Sequence, residues 1–244
     1  MNRVDQITSD IYRISIFEPM YGISINQFLI KDEKNALIHT GTFPGYEGVR
    51  KAIAEVIDPK KIDYVCVPHF EADECGGMGR FVTEAPKSQL LCSEAGSMLN
   101  FGTWDYGGPH RGMRDGTTVD LGKHRLRFIE TPHVHHWDSM MVYEETTGSL
   151  FPADLFIQPG EQPAVIAENL GKEMCELYRT VGIFGGDKPV LQTVDRIEKL
   201  APKWCMPMHG GAMAAETLAH YIAALRTRPF TYDGRLFGRM LPIG

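Results

Sequence analysis

The chain has few cysteines, no long apolar run and no concentration of positive charge. Its five cysteines (Cys66, Cys75, Cys92, Cys175 and Cys205) are odd in number, scattered over 244 residues and never spaced Cys-x-x-Cys. That excludes a disulfide framework and fits a reduced, cytoplasmic setting. No apolar stretch approaches the roughly 20 residues that a spanning helix needs. Met1-Asn2-Arg3-Val4-Asp5-Gln6 leads into strand-like sequence without the apolar core of a signal peptide. The expectation is therefore a cytoplasmic location with no membrane partner. Basic residues adjoin only at Arg50-Lys51 and Lys60-Lys61, against a net charge of −6, so no nucleic-acid partner is expected.

What remains is the composition of a globular domain, 43% hydrophobic and 23% charged. Ile11 to Phe17, Ile23 to Ile30, Ala36 to Ile38, Ile62 to Val67, Gln89 to Cys92 and Arg125 to Ile129 read as strands. Met140 to Tyr143 and Ser149 to Phe151 flank Thr146-Thr147-Gly148, a hairpin turn. Gly48 to Ile57, Val165 to Val181, Lys188 to Leu200 and Ala214 to Arg226 carry helical periodicity, and Trp204 to Pro207 is a short strand. Strands, helices, strands and helices in succession predict an α/β sandwich with sheets inside and helices outside. With no linker or low-complexity segment, residues 1–244 are read as one domain.

The most informative stretch is Val65-Cys66-Val67-Pro68-His69-Phe70-Glu71-Ala72-Asp73-Glu74, where an apolar run gives way to His-x-Glu-x-Asp. All three are metal-ligand types. Alternate spacing lets His69 and Glu71 point one way while Asp73 serves a neighbouring site. His135, Asp154 and His209 each follow a further short apolar run. A lone His or Asp at a strand end is usually a cap or a solvated group; six placed in this way are expected to form a metal site.

These pieces, with Thr131-Pro132-x-x-His135-x-x-Asp138-Ser139-Met140, Leu150-Phe151-x-x-Asp154 and Pro207-Met208-His209-Gly210, resemble the metallo-β-lactamase superfamily. More narrowly they resemble the diiron domain of flavodiiron proteins, in which Glu71 stands where hydrolases carry a second His. The resemblance implies an αββα sandwich and two metals. His69, Glu71 and His135 would hold one, Asp73 and His209 the other, and Asp154 would bridge them. Glu74 fits neither version of the motif. It either ligates or hydrogen-bonds near the second metal, or it starts the next helix facing solvent. His133, His136 and Asp138 are possible further ligands or supports, Asp138 through a hydrogen bond orienting His135.

The Glu71 carboxylate hardens the site, which favours two Fe ions over zinc, with manganese as an alternative. Three carboxylates cancel three of the four charges of two divalent ions; an ionised Glu74 nearby would cancel the fourth and favour the oxidised state. Two open metals can bind O2 or NO if redox-active, or activate water if not. No phosphate loop of the flavodoxin kind is found, since Thr146-Thr147-Gly148-Ser149 lies in the hairpin, so no FMN is expected on this chain. The first expectation is thus a stand-alone oxygen-binding diiron protein, a sensor or carrier with a signalling partner. The second is an O2 or NO reductase served by a separate electron donor. The third is a dinuclear zinc hydrolase of lactonase or phosphodiesterase type. Tyr21, Phe70, Trp137 and Phe156 are candidate pocket walls.

Overall fold

The computed structural model describes residues 3–103 and 108–240; Met1 and Asn2 of the expected leaderless start lie outside them. Two sheets form where β-branched and aromatic residues alternate between faces. The first runs β1 (Arg3–Gln6), β2 (Ile11–Glu18), β3 (Ile23–Ile30), β4 (Asn35–Ile38), β5 (Ile62–Cys66), β6 (Gln89–Ser93) and β7 (His110–Met113), in chain order. It is antiparallel from β1 to β4 and parallel from β4 to β7. In the second, β8 (Thr118–Asp120), β9 (Arg125–Glu130), β10 (Met140–Glu144), β11 (Ser149–Phe151), β12 (Trp204–Cys205) and β13 (Met213–Ala214) also lie in order, with only the β11–β12 pair parallel.

Residue alternation builds the layers. Phe28 and Ile30 of β3, Ala36 and Ile38 of β4, and Phe128, Met140, Val142 and Phe151 of the second sheet meet between the sheets. Phe28 and Phe151 pack edge to face there at 5.2 Å. Leu29, Leu37 and Val65 point the other way, under α1 (Tyr46–Ala54) and, after a single turn at α2 (Ala72–Cys75), α3 (Met78–Glu84). Ile129, Met141 and Leu150 pack under α4 (Gly171–Val181), α5 (Lys188–Leu200) and α6 (Ala215–Thr227). The result is the expected αββα sandwich. No helix among the described residues is long and apolar enough to cross a membrane.

Two predicted helices shift. The stretch from Val165 is extended up to Leu170: Val165 bridges to Ala212, and the Asn169 side chain accepts the Gly171 N–H at 3.1 Å, an alternative to helical bonding that delays α4. α1 begins at Tyr46 and ends at Ala54, leaving Val56 and Ile57 in the following turn. The short β1, β7, β8 and β13 and the helices α2 and α3 had no legible periodicity.

Candidate metal centre

All six predicted ligands leave strand ends at one edge of the sandwich. β5 stops at Cys66, and Pro68, whose carbonyl accepts the Met140 N–H at 3.0 Å, turns the chain toward the second sheet. His69, Glu71 and Asp73 follow. His135 comes from the β9–β10 loop, Asp154 from the segment after β11, and His209 from the loop after β12.

Asp154 is the centre. Its Oδ2 lies 3.0 Å from His135 Nε2 and 3.4 Å from His69 Nε2. Glu71 Oε2 closes that group, 3.1 Å from His69 Nε2 and 3.0 Å from His135 Nε2. On the other side, Asp154 Oδ1 is 3.1 Å from His209 Nε2, which is 3.4 Å from Asp73 Oδ2. Asp154 Oδ1 is buried and has no hydrogen bond of its own. One carboxylate thus faces two donor groups, and a buried acceptor is left for an ion. Three imidazoles and three carboxylates converging in this way fit a pair of divalent metals with mixed nitrogen and oxygen ligands.

The charges show the same mutual hold. Burial pushes the His135 and His209 imidazoles down, but Asp154, with Glu71 at the first and Asp73 at the second, more than reverses this and raises both to about 9. Burial raises the Glu71 carboxyl, yet His135 and His69 bring it down to about 2. Asp73 is pushed up to about 6 by burial and then by the Asp154 carboxylate.

Supports behind these groups fix their orientation. His209 Nδ1–H donates to the Ser24 carbonyl at 2.8 Å, which turns Nε2 toward the site. The His209 loop is held by Asn26, whose amide donates to the carbonyls of Pro207 (2.9 Å) and Gly210 (2.7 Å) while its oxygen accepts from buried Arg13 at 3.1 Å. Tyr178 of α4 donates to the Asp154 carbonyl at 3.0 Å and accepts the N–H groups of Phe156 (2.7 Å) and Ile157 (3.1 Å). It pins a segment in which Ala153 and Phe156 both take positive φ, at 52° and 72°. Asn26 was missed at the level of sequence; its signal was a polar residue within the strand from Ile23 to Ile30. Tyr178 gave no such signal, because on an amphipathic helix it reads as plain core.

The remaining candidates separate. Glu74 is fully buried, so the solvent-facing alternative is wrong; its Oε2 turns to His69 Nδ1 (3.4 Å) and His39 Nδ1 (3.3 Å), on the first metal's side rather than the second's. Asp138 does not orient His135: it accepts from Asn100 at 3.0 Å and lies 3.8 Å from His136 Nδ1. His136 Nε2 stands 3.8 Å from Glu71 Oε2. His133 is exposed, with only its backbone N–H closing a turn on His136. Of the expected pocket walls, Phe156 is fully buried core and Trp137 borders a separate groove with Asp138 and Arg196. Tyr21 fits the expectation. With Met20 it borders a cavity of about 520 Å³ that exposes Glu71, Asp73, Asp154 and His209, and both also line an adjoining cavity of about 1080 Å³ walled by Phe43 and Phe70.

A family model described as ODP family beta lactamase matches residues 23–210. The chain belongs to this family. The chain is 29% identical over 204 residues to a nitric oxide reductase of Moorella thermoacetica, covering 80% of this chain and 50% of that protein. It is 31% identical over 205 residues to the rubredoxin-oxygen oxidoreductase of Megalodesulfovibrio gigas, covering 78% and 49%. The chain thus spans about half the length of these relatives. Among solved structures, rubredoxin oxygen:oxidoreductase from Desulfovibrio gigas superposes with a TM-score of 0.82 at 24% identity, over 91% of this chain and 60% of that one. The flavodiiron protein from Giardia intestinalis does so at 0.82 and 20%, over 92% and 58%. These structural likenesses establish the fold.

Proposed function

We propose that the chain holds two iron ions and binds O2 or NO at them, as a sensor or carrier. The observation that carries this reading is Asp154, one carboxylate set between the His69–Glu71–His135 group and the Asp73–His209 group. Iron in both positions would supply redox-active, open coordination sites for a diatomic molecule. The protein's own groups supply the rest. Glu71 makes the first position harder than three imidazoles would and so favours iron. The cavity beside Asp73 and His209, walled partly by Ile23, Ile25 and Leu177, admits a small apolar molecule to the metals.

The second reading, a reductase fed by a separate electron donor, is supported by the names of the relatives, a nitric oxide reductase and a rubredoxin-oxygen oxidoreductase. Turnover separates the two. Iron-loaded protein is mixed with O2 or NO and an excess of a chemical reductant, with and without rubredoxin. Consumption that stops near one molecule per dinuclear site supports binding; sustained consumption, above all with rubredoxin, supports reduction.

A further inference from the structure

We infer that the two metal positions are unequal: the first takes His136 as an additional donor and retains its ion, while the second has only Asp73 and His209 beside Asp154 and exchanges its ion. This rests on the dinuclear reading above. The candidate ligand atoms of His69, Glu71, His135 and His136 all lie within 4.8 Å of one another. Donors about 2.1 Å from one ion are roughly 3 to 4 Å apart, so small rotations close this set on a single metal. The His136 ring packs against both other imidazoles, 4.5 Å from His135 and 4.9 Å from His69 between centroids. Its far nitrogen is backed by a buried carboxylate. Asp138 Oδ2 is taken by Asn100, but Oδ1, 3.8 Å from His136 Nδ1, is unpaired. A ligating imidazole needs such an acceptor on its other nitrogen.

The second position gains nothing comparable. Glu74, the neighbour of Asp73 in sequence, turns its Oε2 to His69 and His39, on the side of the first position. Glu71, Asp73, Asp154 and His209 all line the same cavity, so a small molecule or a chelator reaches both positions and the difference between them lies in the number of donors. Four donors plus one oxygen of Asp154 at one position, against two plus the other oxygen, make the second ion the one that leaves first.

The test is stepwise removal of Co(II) from the fully loaded chain by increasing chelator, following metal per chain and the visible cobalt bands. Wild type should pass through a stable one-metal state. His136→Ala and His136→Gln should lose that state, the retained ion coming off at about tenfold less chelator or lower, with a shift of its bands. Asp73→Asn should weaken only the first-released ion. Simultaneous release of both ions from wild type, or retention and bands unchanged in both His136 variants, would overturn the inference while leaving the dinuclear site intact. Saturation below two metals per chain would overturn the dinuclear reading itself.

Discussion

Glu74 Oε2 grips His69 twice, 3.4 Å from its ring Nδ1 and accepting its backbone N–H at 3.3 Å. A single buried carboxylate thereby sets both the backbone and the imidazole of one proposed ligand, and also reaches His39. It acts on the metal through His69, as a positioning residue. Glu74→Gln should lower metal affinity about 10- to 100-fold, measured by competition with a chromophoric chelator. Glu74→Ala should in addition cost about 1–3 kcal/mol of stability through the buried His69 backbone N–H it orphans. Unchanged affinity in both variants would show that His69 needs no such partner.

Tyr178 makes three hydrogen bonds to the backbone around Asp154. Tyr178→Phe leaves two buried N–H groups without their acceptor, and a loss of about 1–3 kcal/mol is expected in chemical denaturation. The metal affinity should fall with it, because Ala153 and Phe156 no longer have their left-handed backbone held in place. A variant that unfolds earlier but binds metal as tightly as wild type would limit Tyr178 to a structural role.

Gly210 has φ of +118°, and a Cβ there would meet the Gln158 side chain at 2.5 Å. Gln158 in turn bonds both backbone groups of Gly211. Gly210→Ala should therefore displace the loop that carries His209. The expected result is loss of one metal per chain with the other kept, read by elemental analysis after gel filtration.

Much of this candidate centre was legible because its residues are chemically unusual where they stand. A His, Glu or Asp just past an apolar strand has to be accounted for, and His69, Glu71, Asp73, His135, Asp154 and His209 recur in a fixed order. The sandwich followed from strand and helix periodicity in the same way. What could not be read were relationships across the fold. Glu74 invited a solvent-facing reading because it sits in the first turn of a helix, and only the contact of His39 and Thr40, just past β4, with that turn shows it buried. Asp138 lies three residues from His135, yet the turn at His133 and His136 carries it to His136 instead. The start of α4 was overestimated because the pairing of Val165 with Ala212 is a tertiary contact.

The metal-free chain should become less stable as pH rises. His135 and His209 titrate at about 9 in the folded chain against 6.5 as the ordinary value, so bound protons favour folding. Their contribution is complete below 6.5 and is lost as pH passes through about 9. Asp73, raised to about 6 from 3.8, adds a loss of the same sign at lower pH. Metal replaces these protons, so its stabilising effect should grow over the same range. Melting temperatures with EDTA should fall from pH 6.5 to 9 while those of the loaded protein hold. A flat or rising EDTA curve would contradict the mutual hold of these groups.

Asp154 is proposed to span a redox-active metal pair. The most direct test is elemental analysis of anaerobically purified protein, with optical spectra before and after O2. Two irons per chain and a visible band that appears on exposure and persists are expected. Two zinc ions with no spectral change, or fewer than two metals per chain after reconstitution, would contradict the proposal.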